Sequence, residues 1–453
     1  MKVFGSSGTR GLAGEQLTAE FVLRVAKAAG TVWGVDRAAV ARDTRTTGTM
    51  FANAAVAGLT GVGTDVERLG VTPTSAAVRY ADVEAVPVVV ITASHNPPEY
   101  NGVKLVGADG VELSVSALEQ IEQRLLAEEF EVANWNEVGS TTHVDGVNDD
   151  YVGELLSAVD REAITDADLT VALDPGHGAG ALTSPEFFRR LGCDVVTVNG
   201  QPDGHFPGRE PEPVQENLDD LGRLVRATDA DVGIAHDGDA DRAIFFDENG
   251  EYVEGDASLA ALAAEALEPG DSTVAAVNVS QRLVDVCTDI GAELELTPIG
   301  ATNIITRIQE LRAEGERVPI AGEGNGGIFF PEFRLVRDGA FIGAKFLELL
   351  TDATVSELVA PYTDYVNVRR NLRYDDGSEL TAMLGAAEVY ADEADVEAET
   401  IDGYRLSYGD AWVLVRPSGT EPKVRIYAEA RDMNRATSLV RAVEDELEDA
   451  RQT

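Results

Sequence analysis

The chain has 453 residues, room for about three domains at roughly 150 residues each, and its 44% hydrophobic and 26% charged content is ordinary for a folded globular protein. Its 80 acidic against 36 basic residues give a formal net charge of −44, and lysine is reduced to Lys2, Lys27, Lys104, Lys345 and Lys423. Such a field disfavours nucleic-acid partners, and its self-repulsion calls for salt, whose screening length shrinks to roughly 3 Å at molar strength, so the composition reads as that of a halophile's cytoplasm.

The predicted elements alternate. A helix is expected over residues 19–29 and a buried strand over 86–91. A strand at 169–173, a helix at 218–227 and a strand at 232–235 follow. Apolar runs at 274–279 and 318–321 read as further strands, and residues 340–350 as a helix. Buried strands joined by helical crossovers predict α/β units with mostly parallel sheets. The end of the chain changes character: two β-rich runs flank a Pro-Ser-Gly turn, and a helix follows over about 434–448, an α+β module. Boundaries are expected near residues 144–150, 247–256 and 359–365. Cys193 and Cys287 make no disulfide framework or metal cluster. With no apolar leader and no long apolar stretch, the chain reads as soluble and cytoplasmic, without a membrane partner.

Four Gly-rich or Pro-rich turns, TASHNP, DPGHGAG (residues 174–180), HDGDADR and GEGNGG, follow predicted strands, where α/β folds put their sites. In TASHNPPEYNGVK the strand ends at Ser94, with His95 and Asn96 beside it and Lys104 downstream. A plain Ser-His-Asn turn is the bland alternative, and no Gly-x-Ser-x-Gly elbow is present to make a hydrolase. In HDGDADR, Asp237, Asp239 and Asp241 alternate with small residues, and such crowding is tolerable around a hard cation. Oxygen ligands without sulfur select Mg²⁺ over zinc. An EF-hand fits the first three acids and Glu248, but its obligatory sixth-position glycine is Arg242 here. In GEGNGG, Glu323 and Asn325 pair an acceptor with an amide, a combination suited to sugar hydroxyls, or they simply build a tight turn. In RPSGTEPKVR, Arg416, Ser418, Thr420, Lys423 and Arg425 surround Gly419, a phosphate cradle in a chain otherwise poor in base, with a basic hairpin that pairs with surface acids as the bland alternative. GSSGTRG, with Arg10, looks like a smaller cradle.

Together these parts suit phosphoryl transfer on a phosphorylated sugar. With FGSSGTRG and ARDTRTTG added, they occur in the order seen in the α-D-phosphohexomutases, which the chain resembles along nearly its whole length. The resemblance implies three similar α/β domains with mixed, mostly parallel sheets plus a C-terminal α+β domain around a central cleft. The expected domains are 1–146, 147–250, 251–361 and 362–453. It implies a phosphoserine at Ser94 that, with Asp237, Asp239 and Asp241, binds one Mg²⁺ per site. Arg10, His95 and Lys104 would flank the reacting phosphate, with Lys104 a proton carrier, and Arg242 would follow the metal loop. Glu323 and Asn325 would hold sugar hydroxyls. Arg416, Ser418, Gly419, Thr420 and Arg425 would hold the distal phosphate.

The implied reaction interconverts hexose 6- and 1-phosphates of glucosamine, mannose or glucose. It passes through a hexose 1,6-bisphosphate that also serves as activator, in a monomer or homodimer. The sugar loop departs from the bacterial Glu-x-Ser-Gly-His pattern and looks like an archaeal branch. Near TPIGATNII, where some members place a sugar-facing histidine, the chain has Ala301 and Thr302. Two rivals remain: an aspartyl-nucleophile sugar phosphatase, which leaves TASHNP unexplained, and a non-catalytic sugar-phosphate binder.

Overall fold

The structure, a computed structural model, describes residues 4–5, 8–418 and 422–451. The chain divides into two compact units, Met1–Ser258 with Asn325–Leu358, and Leu259–Gly324 with Val359–Thr453.

The first unit holds two sheets of one design. In the first, strands run in the order Thr9–Leu12, Tyr100–Val106, Val88–Ile91, Arg37–Arg42, Asp65–Val71, Thr141–His143. Val88–Ile91 lies parallel to Arg37–Arg42 and antiparallel to Tyr100–Val106. In the second, the order is Tyr252–Val253, Ile244–Phe246, Val232–Ala235, Thr170–Asp174, Asp194–Thr197. Val232–Ala235 is parallel to Thr170–Asp174 and antiparallel to Ile244–Phe246. In each sheet a wholly buried four-residue strand, VVVI or VGIA, occupies the same place and delivers its following loop to one end. All-apolar strands of this kind are what a sheet covered on both faces requires. The strand Ile244–Phe246 directly after HDGDADR excludes the EF-hand geometry.

Local signals set the surrounding helices. Ala19–Trp33 starts at Thr18, whose hydroxyl accepts from the Phe21 amide, and stops at left-handed Gly34. It buries Val22, Val25, Ala26 and Ala29 against Phe51, Ala55 and Leu59 of the Gly48–Gly61 helix. A short antiparallel pair, Gly327–Phe330 with Arg334–Arg337, then leads into the Gly339–Glu348 helix, which Asp338 caps.

In the second unit, Ser272–Ala276 lies between Glu293–Thr297 and Ala321–Glu323, all parallel. Two expected strands shift here. The strand expected at 274–279 instead runs Ser272–Ala276; the Val277 amide still donates to the Thr297 carbonyl, and the Val279 amide then closes a turn on the Ala276 carbonyl. The apolar 318–320 run is buried but precedes the paired segment Ala321–Glu323. Ala301 and Thr302 open the Ala301–Glu314 helix and are buried. The last sheet is wholly antiparallel, ordered Val366–Arg373, Lys423–Ala430, Ala411–Pro417, Tyr404–Ser407, Glu397–Glu399. The helices Gly377–Glu393 and Met433–Arg451 bury Met383, Ala387, Leu439 and Val443 in the core they share with it. Among the described residues no helix is long and apolar enough to cross a membrane.

Candidate active site

Ser94 lies three residues beyond the Val88–Ile91 strand and is fully buried, with φ +52°. Non-glycine residues adopt this left-handed backbone rarely, and only where surrounding contacts impose it. Its Oγ donates to Asp237 Oδ2 at 2.6 Å and lies 3.2 Å from His95 Nδ1. The metal-loop motif begins one residue past the Val232–Ala235 strand. A second left-handed residue, Ala240 at φ +56°, bends that loop, and the Asp241 amide donates to Asp237 Oδ1. The loops touch: a Cβ on Gly238 would stand 2.7 Å from the Ser94 carbonyl oxygen, so only glycine fits there.

The three aspartates offer carboxylate oxygens within 4.8 Å of one another, and all three are buried. Their counter-charges are fixed by hydrogen bonds. Lys104 Nζ donates to Asp239 Oδ2 at 3.0 Å and to Asp241 Oδ2 at 3.1 Å. Arg337 Nη2 reaches Asp241 Oδ2 at 2.6 Å, and Thr74 Oγ1 donates to Asp239 Oδ2 at 2.6 Å. Arg242 donates to His95 Nδ1 at 2.9 Å, and its Nε lies 3.9 Å from both Asp237 and Asp241. Arg10 donates to Asn96 Oδ1 at 3.0 Å.

Electrostatics follow from these neighbours. Burial, then the charges of Asp241 and Asp239, push the Asp237 carboxyl up to about 8. At Asp241 burial pushes the same way, yet Arg337, Lys104 and Arg242 outweigh it and hold the group below the carboxylate range. Burial pulls the Lys104 ammonium down, but Asp239 and Asp241 more than offset it. The Arg242 charge, then burial, pushes the His95 imidazole far down, so the ring is neutral. Burial also lowers the Arg10 guanidinium, with Asp239 opposing.

Two atoms bear on a metal. Asp239 Oδ1 and Asp241 Oδ1 are buried and accept no hydrogen bond among the described residues. Buried carboxylate oxygens left without donors are costly unless a cation meets them. An all-oxygen donor set of this size fits a hard divalent ion.

The other candidates lie elsewhere in the chain. Asn325 Oδ1 accepts from the Gly327 amide, and the Gly326 carbonyl accepts from Ala243, just past the metal loop. Glu323 ends the Ala321–Glu323 strand. In the second unit Arg416 and Arg425 are cross-strand partners, Arg416 pairs with Asp402 at 3.0 Å, and the Ser418 amide donates to the Lys423 carbonyl. Gly419 and Thr420 lie outside the described residues. Sequence reasoning missed Thr74 and Arg337, which carry no motif of their own; the Asp-Gly that follows Arg337 signals only the start of the next helix.

A strained, buried hydroxyl set against three carboxylates at the carboxyl ends of parallel strands defines a class of site suited to phosphoryl transfer. Residues 1–132, 149–250 and 254–365 match the family described as phosphoglucomutase/phosphomannomutase, alpha/beta/alpha domains I, II and III, and residues 370–446 match its C-terminal domain. A phosphoglucomutase/phosphomannomutase of Thermococcus kodakarensis is 40% identical over 446 residues, covering 96% of each chain. A probable phosphoglucosamine mutase of Methanopyrus kandleri is 39% identical, covering 97% of this chain and 96% of that one. A solved phosphoglucomutase/phosphomannomutase family protein of Burkholderia thailandensis superposes with a TM-score of 0.85 at 29% identity, covering 99% of this chain and 96% of the other. The chain belongs to the phosphoglucomutase/phosphomannomutase family, with its four-domain α/β architecture. It is a phosphohexomutase, an isomerase, and the aspartyl-phosphatase and binder readings are not favoured.

Proposed function

We propose that Ser94 is the residue that carries the phosphoryl group between the 1- and 6-positions of a hexose phosphate. The observation that carries this reading is the 2.6 Å hydrogen bond from Ser94 Oγ to Asp237 within the buried aspartate cluster. In the forward half-reaction the hexose 6-phosphate C1 hydroxyl attacks the phosphorus on Ser94. The bond from phosphorus to Oγ breaks, Oγ takes up the proton that the C1 hydroxyl gives up, and hexose 1,6-bisphosphate forms. The bisphosphate turns end for end, its 6-phosphoryl group returns to Oγ as the bond from phosphorus to the C6 oxygen breaks, and the serine proton passes to that oxygen. The same bisphosphate primes any protein molecule that has lost its phosphoryl group.

Asp237, Asp239 and Asp241, with Ser94, would hold one Mg²⁺, which when bound neutralises charge on the transferring group. The protein's own contribution is positional. Lys104 and Arg337 hold Asp239 and Asp241 in place, and the neutral His95 ring and Arg242 border Oγ. Charge held in advance at such a site costs no reorganisation during reaction. Arg10 would add positive charge beside the phosphoserine loop, Glu323 and Asn325 would take sugar hydroxyls, and Arg416, Ser418, Gly419, Thr420 and Arg425 would take the distal phosphate. The Glu-Gly-Asn-Gly-Gly loop and the named relatives favour glucosamine and mannose phosphates, with glucose also accepted. The acidic composition favours a cytoplasm of high salt.

Ser94→Ala is expected to leave mutase turnover near background with every sugar, measured side by side on glucosamine, mannose and glucose 6-phosphates with a bisphosphate primer. Retained turnover refutes the relay. Thermal unfolding in molar KCl and in dilute buffer tests the salt reading. A lower midpoint in dilute buffer is expected, and equal midpoints overturn it.

A further inference from the structure

The ARDTRTTG motif has no role in the account so far, nor has DPGHGAG, and each contributes one half of the same construction. Arg45 is fully buried, and all five of its N–H donors are used. Nε pairs with Asp43 Oδ2 at 3.0 Å. Nη2 donates to the carbonyls of Ser94 at 2.8 Å and Asn96 at 2.6 Å, and Nη1 to those of Pro97 at 2.6 Å and Tyr100 at 3.0 Å. Asp43 also accepts from Thr92 Oγ1 at 2.7 Å, and that hydroxyl accepts from the Ser94 amide at 2.9 Å. Both backbone polar groups of Ser94 are therefore tied to one buried Asp–Arg pair, at the residue whose φ is +52°.

Arg209 repeats the pattern in the second sheet, with its side chain 3% exposed. Nε pairs with Asp174 Oδ2 at 2.9 Å. Nη2 donates to the carbonyls of His236 at 2.6 Å and Asp174 at 3.4 Å, and Nη1 to those of Glu210 and Pro211. Asp174 also accepts from the Gly176 amide and from Asn199 Nδ2. His236 immediately precedes Asp237, and its ring Nδ1 lies 2.8 Å from the Arg242 carbonyl, closing the metal loop on itself.

In each sheet the anchoring aspartate stands at the end of the strand parallel to the one that delivers the loop. In each, the guanidinium meets one carboxylate and four backbone carbonyls. The two constructions also meet: the Phe206 ring lies 5.3 Å from the Arg45 guanidinium and borders the space beside Gly238. A planar guanidinium can serve five acceptors in fixed directions, whereas an ammonium offers three donors from one point.

We propose that Arg45, with Asp43, is a positioning residue for the Ser94 loop, and that Arg209, with Asp174, is a positioning residue for the 237–241 metal loop. They act through backbone carbonyls and touch no substrate. The proposal rests on Ser94 and the aspartates having the roles given above.

The test is Arg45→Lys and Arg209→Lys, read by steady-state kinetics, by calorimetric titration of the purified protein with MgCl₂, and by intact mass after incubation with hexose 1,6-bisphosphate. For Arg45→Lys we expect kcat to fall about 30- to 100-fold with KM within about 3-fold, and slow phosphoryl loading of Ser94, because small misplacements of a reacting atom cost about that much. Added Mg²⁺ does not restore it. For Arg209→Lys we expect Mg²⁺ affinity to weaken about 10-fold, the scale of outer-shell changes, and excess Mg²⁺ to restore most of kcat. If both variants respond alike to Mg²⁺, or lose activity only in proportion to their folded fraction, the proposal is overturned. If either lysine variant fails to fold, Thr92→Val and Asn199→Ala each remove one hydrogen-bonding side chain and decide the matter. The same split at several-fold size supports the proposal, and wild-type kinetics and Mg²⁺ affinity in both refute it. Ser94→Ala keeps the two levels apart. If it is inactive while the clamp variants behave as wild type, only the clamps fall; if it is active, the relay itself falls.

Discussion

The serine and metal loops and the C-terminal hairpin both collect cations, but they hold them differently. Around the aspartates, Lys104 is 2% exposed and Arg337 5%, and both are committed to carboxylates that are 1% exposed. On the hairpin, Arg416 is 13% exposed and its partner Asp402 17%. Buried pairs suffer a desolvation cost that only fixed, well-satisfied geometry offsets, whereas a partly wetted pair can exchange partners cheaply. On the roles proposed above, the difference would suit two tasks: a reacting centre that must not reorganise, and a phosphate-holding surface that must accept either end of a bisphosphate.

The comparison breaks most visibly at Arg337. Arg337→Met leaves Asp241 short of one buried counter-charge, and a stability loss of about 3–5 kcal/mol is expected in urea unfolding. A change under 1 kcal/mol would mean the site is wetter than its burial indicates.

A second break lies one residue on, at Asp338, buried between the Tyr151 hydroxyl at 2.6 Å and the Phe341 amide at the helix start. Burial, against the pull of those donors, raises this carboxyl to about 6 from 3.8. Because the folded state binds the proton more tightly, the contribution to stability is present below about pH 4 and is lost as pH rises through 6. Asp338→Asn keeps the cap without the titration. Between pH 4 and 7.5, wild type should lose up to about 3 kcal/mol relative to the variant, at about 1.4 kcal/mol per pKa unit. Parallel stability curves would remove the assignment.

The smallest effect belongs to the hairpin. Arg416→Ala is expected to raise KM about 10-fold with kcat within about 3-fold, as loss of an interaction made equally in ground and transition states does. A kcat effect of the size expected at the serine loop would erase the distinction between the regions.

How much of this was legible in the sequence follows the same division. Motifs that end strands could be read directly, because an apolar run followed by Gly, Pro and acids signals a buried strand and the loop it delivers. Ser94 and the three aspartates were found that way, and the structure brings them together. Lys104 was expected beside the reacting phosphate as a proton carrier, and it is bound to Asp239 and Asp241 across 135 and 137 residues. Arg337 reaches Asp241 across 96. Such separations leave no periodic trace. Arg45 stood inside a recognised motif, yet its work is done on backbone carbonyls, which every residue possesses and no sequence pattern distinguishes. The strand expected at 318–321 shifted for a related reason: hydrophobicity marks burial, while pairing is decided by the neighbouring strand's register.

The most direct test is to incubate the wild-type protein with a hexose 1,6-bisphosphate and locate the transferred phosphoryl group by intact mass and peptide mapping. The account predicts a single group on Ser94, absent from Ser94→Ala. A phosphoryl group on Asp237, or turnover with no phosphorylated protein at any time, would contradict it.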